Sequence, residues 1–156
     1  MTRTIPGEVT MPIGRRTLLR GTALAAALAA TRARALAAGT PSPTDAYLYI
    51  IWPQDGQRIH GPFWCRFGLR NMGVTRAGDV APNLGHHHLL VDAEALPEPG
   101  VAIPADRTHI HYGAGQTEGR LDLPPGPHTL QLVLGDAEHK PFDPPVVSRK
   151  IRIVVE

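Results

Sequence analysis

The chain has 156 residues, which is enough for one domain and a short additional segment. Its formal net charge is +2, but residues 1–35 hold six arginines and one acidic residue, so the remainder has 10 basic and 13 acidic side chains. With a net charge of −3 and no basic patch, this remainder argues against a nucleic-acid partner.

The first 35 residues have the features of an export signal. Residues 14–20 resemble a twin-arginine motif, in which two arginines precede an apolar pair and a further base. Residues 21–30 are rich in alanine and leucine but too few to span a bilayer, and residues 33–35 or 35–37 fit a small-x-small cleavage site. We predict a cleavable signal peptide of the twin-arginine type, with a Sec-type signal as the alternative. The mature product is then expected in the periplasm or outside the cell, without a stable membrane anchor.

After a linker over residues 36–46, the mature chain is predicted to be all-β. Short runs of apolar, aromatic and β-branched residues alternate with turns rich in proline and glycine, and no run has helical periodicity. The candidate strands are residues 47–52, 63–69, 86–92, 109–112, 120–123, 128–134 and 150–155. About seven short strands with these turns predict an immunoglobulin-like β-sandwich over residues 47–156.

Two clusters of histidines fall on the third and fourth predicted strands. Because side chains two apart lie on one face of a strand, His86 shares a face with His88, and His109 shares a face with His111. On neighbouring strands, the two pairs would offer three or four imidazoles to one metal ion. The remaining candidate ligands are His139, which lies in a loop, and His87. The buried face of residues 86–92 stays open, because its three apolar side chains favour opposite choices.

A set of imidazole ligands without sulfur favours copper as Cu(II) or zinc. Only Met72 and Cys65 supply sulfur after signal cleavage, which disfavours a blue-copper or methionine-rich site. Metal binding by ordinary imidazoles should weaken below roughly pH 6. The alternative is a metal-free interaction module for a protein of the cell envelope, in which the histidines only organise loops by hydrogen bonding.

The remaining reactive side chains favour binding over catalysis, and we predict no catalytic residue and no organic cofactor. Cys65 alternates with apolar neighbours and is predicted to lie in the core, and neither mature serine lies in a nucleophile-elbow motif. Glu118 is the candidate for a general base or an outer-sphere partner if metal-assisted chemistry occurs. His60 is expected at the surface, and His128 is expected to form structural hydrogen bonds.

Several segments together resemble one exported bacterial family. They are Phe67-Gly68-Leu69, Asn71-Met72-Gly73-Val74, the run from Gly85 through the three histidines to Asp92, His109-x-His111-x-Gly113-x-Gly115-Gln116-Thr117-Glu118, and residues 125–132. The family is the one called domain of unknown function 4399, and the resemblance covers nearly all of residues 47–155. It implies an exported single domain, immunoglobulin-like, with no established activity. It also implies a further histidine after Pro141, where this chain has Phe142.

Overall fold

The structure is a computed structural model that describes residues 39–156. The predicted signal peptide, residues 1–35, and the first residues of the predicted linker lie outside the described residues. Within residues 39–156 the regular elements are nine β-strands, and this part of the chain contains no helix able to cross a membrane. The strands are β1 (Tyr47–Trp52), β2 (Gln57–Ile59), β3 (Phe63–Arg70), β4 (Gly73–Val74), β5 (Leu84–Val91), β6 (His109–Tyr112), β7 (Glu118–Leu121), β8 (Gly126–Gly135) and β9 (Ile151–Val155).

Seven of these strands coincide with the segments predicted from the sequence, which confirms the all-β class. The strands β2 and β4 were not expected, because they have three and two residues. A strand of that length is too short for an alternating pattern to stand out from the turns beside it. The start of β7 also differs, since Glu118 and not residue 120 begins the strand.

The nine strands form two sheets. One has three strands in the order β1-β3-β7, all antiparallel, and the other has the order β2-β9-β8-β5-β4 with β6 also paired to β5. In the larger sheet, β2 pairs with β9 and β4 pairs with β5 in parallel, and the other pairs are antiparallel. Apolar side chains from both sheets form one core, so the two sheets pack face to face.

The main core lies between the two sheets. It includes Leu48 and Phe67 from the smaller sheet and Leu89, Leu132 and Ile153 from the larger sheet, all at most 3 % exposed. Burying a leucine or phenylalanine of this kind stabilises the fold by roughly 1.5–3 kcal/mol. Cys65 is fully buried in the same layer, which confirms its predicted place in the core. Burial raises the pKa of the Cys65 thiol to about 12, so it stays protonated at neutral pH.

Strand β5 is buried on both faces, and this answers the question that the sequence left open. Leu89 and Val91 belong to the main core between the sheets, whereas Leu90 packs with Ile103 and Val133 in a second apolar cluster. Because side chains alternate along a strand, His87 lies on the side of the main core, and the other two histidines lie with Leu90. The conflicting pattern therefore reflects a strand that is covered on both sides.

The first described residues run alongside the segment that follows β8. Pro41 forms a parallel bridge with Asp143, the Ser42 amide donates to the Asp143 carbonyl at 3.2 Å, and the Asp143 amide donates to the Thr40 carbonyl at 2.9 Å. These residues belong to the predicted linker, and in the structure they are packed on the domain.

Candidate metal centre

Strands β5 and β6 bring three of the predicted ligands together. His86 and His88 lie on one face of β5, and the antiparallel register of β6 places His111 directly opposite His88. The Nε2 atoms of His86 and His88 lie 3.0 Å apart and share a hydrogen bond. Nitrogens that bind one zinc ion at ~2.0–2.1 Å are roughly 3.3 Å apart in a tetrahedral site. The two imidazoles of β5 are therefore already at a spacing that one metal ion requires.

The fourth imidazole comes from the turn after β8. The ring of His139 lies 4.8 Å from that of His111 and 5.0 Å from that of His86, measured between centroids, and 6.1 Å from that of His88. The rings of His86, His88 and His111 are 4.9–5.0 Å from one another. One nitrogen each from His86, His111 and His139 falls within a 4.8 Å group. We refer to His86, His88, His111 and His139 as the histidine cluster.

Several nitrogens of the cluster are buried without a hydrogen-bond partner. They are Nδ1 of His86, Nδ1 of His88 and Nε2 of His111. His86 and His88 are fully inaccessible to solvent. A buried polar atom that loses water without gaining a partner costs about 1–3 kcal/mol, so native structures rarely leave three of them side by side. Apart from the hydrogen bond between Nε2 of His86 and Nε2 of His88, the arrangement has the donor atoms of a ligand site without the protein partners of a structural network.

The environment favours the neutral form of three imidazoles of the cluster, those of His86, His88 and His111. Burial, together with the neighbouring His111 and His139, lowers the pKa of His86 to about 4, although Asp136 opposes the shift. Burial and the imidazoles of His86 and His111 lower the pKa of His88 to about 3. The pKa of His111 is also lowered, by burial and by His139. At neutral pH these rings are uncharged and each offers a lone pair, which is the form that binds a metal ion.

Two glycines make room for the imidazole rings because they have no side chain. A Cβ atom at Gly135, which pairs with His86 across β5 and β8, would lie 2.9 Å from Nε2 of His88 and 3.4 Å from Nε2 of His86. A Cβ atom at Gly113 would overlap Nε2 and Cε1 of the His111 ring. Because real Cβ atoms do not approach a neighbour so closely, any other residue at these positions would displace the rings.

The remaining two candidate ligands lie elsewhere. His109 lies two residues before His111 on β6, opposite Leu90, and its Nδ1 atom contacts Oδ1 of Asp106 at 3.0 Å. His87 points to the main core, where its ring packs 5.2 Å from that of Phe67 and its Nδ1 contacts the Gln116 carbonyl at 3.1 Å. The structure thus brings four of the six candidates together, and metal ligation by any of them stays a prediction.

Three other predicted roles can be placed in the structure. His128 contacts Asp92 through Nδ1 at 2.7 Å and the Pro124 carbonyl through Nε2 at 2.8 Å, which confirms a hydrogen-bonding role. Burial opposes protonation of His128, but these two acceptors outweigh it and raise its pKa. His60 is exposed beside Glu156, as expected. Glu118 is exposed on β7, and its carboxylate contacts Nε of Arg66 at 3.3 Å.

The sequence alone did not predict a role at the site for Gly113, Gly135 or Asp136. Their roles depend on how the chain packs around the imidazole rings. An isolated glycine at a strand is a signal of close approach by another group, and Gly135 ends β8. Asp136 is 6 % exposed and organises the turn that carries His139. An acidic residue in a polar loop gives no comparable signal, because such residues are usually solvated.

Comparison with known proteins gives a family and one distant structural similarity. Residues 65–156 match the family model described as domain of unknown function (DUF4399). No curated protein matches the chain. The X-ray structure of the endo-beta-1,4-mannanase from Thermotoga petrophila aligns with a TM-score of 0.40 and 19 % identity, over 72 % of this chain and 20 % of the mannanase chain. The chain thus spans about a fifth of the mannanase, and a similarity of this size carries no argument about fold or activity.

We expect acidification to destabilise the metal-free domain. His87, whose pKa burial lowers to about 4, stays neutral in the fold while the unfolded chain takes up a proton near its ordinary pKa of 6.5. Since the unfolded chain then binds more protons, the free energy of unfolding falls as the pH drops from about 6.5 to about 4. One such group contributes up to about 3 kcal/mol over this range. Urea unfolding of chelator-treated protein, measured at a series of pH values, tests the expectation.

The matched variant is His87→Leu, which removes one buried imidazole from the main core and leaves the histidine cluster in place. Its stability should decline less steeply with falling pH than that of the wild type. A stability that is constant between about pH 6.5 and 4, or an equal decline in both proteins, would contradict the prediction.

Proposed function

The chain belongs to the family described as domain of unknown function DUF4399, and for this member we propose that the histidine cluster binds one divalent transition metal ion, either Cu(II) or Zn(II). The observation that carries the proposal is the convergence of four imidazoles from two strands and one turn. Nδ1 of His86, Nδ1 of His88 and Nε2 of His111 lack a hydrogen-bond partner. A metal ion would bind one neutral nitrogen of each ring, and binding at Nε2 of His111 would give that buried atom the partner that it lacks.

The donor set determines which metals fit. His86, His111 and His139 offer one imidazole nitrogen each, and His88 adjoins His86 as a further imidazole. The buried thiol of Cys65 lies on the other side of the larger sheet, in the main core. A soft Cu(I) ion prefers thiolate or thioether ligands, whereas Cu(II) and Zn(II) bind nitrogen well. Hard cations such as magnesium and calcium prefer oxygen ligands, which the cluster does not supply among the described residues. Reversible binding of copper or zinc is therefore the function that the cluster supports best.

The proposed location and fold family follow from the sequence pattern. We propose that residues 1–35 direct export to the periplasm through the twin-arginine pathway, which accepts proteins that have already folded. We also propose that the sandwich is immunoglobulin-like, supported by two sheets that enclose one core. An ion bound before export or taken up in the periplasm would fit transport or storage, and we propose no catalytic reaction.

A metal-free interaction module is the second candidate function. It is supported by exposed apolar side chains on the smaller sheet, since Tyr47, Ile51 and Trp64 are each about half exposed. In this candidate function the histidines organise loops by hydrogen bonding, and His109 and His128 do contact carboxylates. Such contacts do not account for the cluster, whose unpartnered nitrogens organise no loop. A protein partner of the envelope would then bind the smaller sheet and leave the cluster unexplained.

We expect one equivalent of copper or zinc per chain, bound through the cluster. The test compares His111→Ala with His109→Ala, because both residues lie on the same face of β6 and only His111 lies in the cluster. Loss of a ligand should weaken binding by at least the roughly 10–100-fold that loss of an outer-sphere partner causes. The control His109→Ala should bind as the wild type does.

The measurement is elemental analysis of untagged protein purified from the periplasm, followed by competitive titration with Cu(II) or Zn(II) at neutral pH. Near-UV circular dichroism establishes that each variant is folded. The proposal fails if the wild type takes up neither metal, or if the two variants lose affinity equally.

We expect metal binding to persist to lower pH than ordinary imidazoles would allow. Protons compete with the metal only below the pKa of each ligand, and for His86 and His88 these values are about 4 and about 3. For these two ligands, we therefore expect binding to weaken at a lower pH than the roughly pH 6 predicted from the sequence. Equilibrium dialysis between about pH 7 and 4 measures the dependence. A steep loss of affinity that begins near pH 6.5, with one proton per ligand, would contradict it.

Gly135→Ala should weaken metal binding although it removes no ligand. The new methyl group would lie 2.9 Å from Nε2 and 3.0 Å from Cδ2 of His88, a ring that is fully buried, so the ring would have to shift. Misplacement of a ligand by about 1 Å is enough to degrade a preorganised site. Isothermal titration with Zn(II) checks the expected loss of affinity. Wild-type affinity in a folded Gly135→Ala protein would show that the ring positions do not matter.

A further inference from the structure

His139 differs from the rest of the histidine cluster because it does not lie on a strand. It sits in the turn after β8 with a φ angle of 66°, in the left-handed region. Residues other than glycine adopt this region rarely and stay there when surrounding contacts hold them. Its carbonyl accepts a hydrogen bond of 2.7 Å from the Ile103 amide, and its own amide donates to the Asp136 carbonyl at 3.0 Å. The position of this imidazole therefore depends on how the turn is held.

Asp136 holds the turn on both sides of His139. Its Oδ1 atom accepts hydrogen bonds from the amides of Glu138 and Lys140, each at 2.9 Å. The Asp136 amide donates to the Lys140 carbonyl, also at 2.9 Å. Hydrogen bonds to an ionised carboxylate are about twice as strong as neutral ones. The residues immediately before and after His139 are thus tied to one buried carboxylate.

The second oxygen of the same carboxylate is bound by the N-terminal segment. The Thr40 hydroxyl donates to Oδ2 of Asp136 at 2.6 Å. The backbone pairing of Thr40 and Ser42 with Asp143 keeps this hydroxyl in place. A chain of hydrogen bonds therefore runs from the first described residues through Asp136 to the turn that presents His139.

We propose that Asp136 is a positioning residue for the metal centre and that Thr40, a residue of the predicted linker, supports it by holding the carboxylate of Asp136. The proposal rests on the proposed function, since it assigns these residues a role in metal affinity. Without the hydroxyl of Thr40, the carboxylate keeps the hydrogen bonds of its Oδ1 but loses the one on Oδ2, so the turn is held less firmly and part of the ordering of His139 is left to metal binding. By reciprocity, bound metal strengthens the attachment of residues 40–42 to the domain.

The test uses two substitutions of nearly equal size at one position. Thr40→Val removes the hydroxyl and should lower the affinity for Zn(II) roughly 10-fold, the low end for loss of a supporting hydrogen bond, while one equivalent still binds. Thr40→Ser keeps the hydroxyl and should bind as the wild type does. Ser42→Ala is the control, because the Ser42 hydroxyl donates to the Pro144 carbonyl and makes no contact with Asp136.

A second readout separates positioning from a general loss of stability. Amide hydrogen exchange of Glu138, Lys140 and Ser42 should slow on addition of Zn(II) in the wild type, and it should slow less in Thr40→Val. Equal Zn(II) affinity of the wild type and Thr40→Val would overturn this inference and leave the proposed function intact. Equal weakening by Thr40→Ser and Thr40→Val would overturn it as well. A wild type that binds no metal would overturn both proposals.

Discussion

The constraint on which the rest of this structure depends is the burial of β5 on both faces. The main core covers the face of Leu89 and Val91, and the second cluster around Leu90 covers the other. Three consecutive histidines on such a strand cannot reach water on either side, and all three are fully inaccessible. These imidazoles therefore depend on partners inside the protein, and the two faces of the strand differ in what they offer.

On the face of the main core, the buried imidazole is held by packing and by one hydrogen bond. His87 packs against Phe67 and uses one nitrogen to contact the Gln116 carbonyl, while its other nitrogen stays unpartnered. On the opposite face the imidazoles meet each other, and the lowered pKa values of His86 and His88 mean that they do so as neutral rings. Apart from the hydrogen bond between His86 and His88, these rings leave buried nitrogens without partners, which costs stability in the metal-free protein. A ligand that binds only the folded state would compensate, because its binding energy adds to the free energy of unfolding.

The histidine cluster combines rigid and adjustable supports. The two strands set His86, His88 and His111 through hydrogen-bond register, and Gly113 and Gly135 provide the space for their rings. His139 is set by a turn, and a turn is fixed less firmly than a paired strand. Asp136 supplies the missing rigidity through its hydrogen bonds on both sides of this residue. Its own attachment to Thr40 extends the site to the first residues that the structure describes.

Local patterns in the sequence determined the all-β class, the burial of Cys65, and the placement of His86 and His88 on the same face of one strand. They could do so because the alternation of side chains depends only on strand geometry. The tertiary structure alone decided which other histidines join them. Register sets His111 opposite His88 and leaves His109 opposite Leu90, beside the carboxylate of Asp106. His139 approaches from about fifty residues further along the chain, through a turn whose shape depends on Asp136 and Thr40. No local pattern encodes these distances, since they arise from long-range pairing and from the covering of both faces of β5.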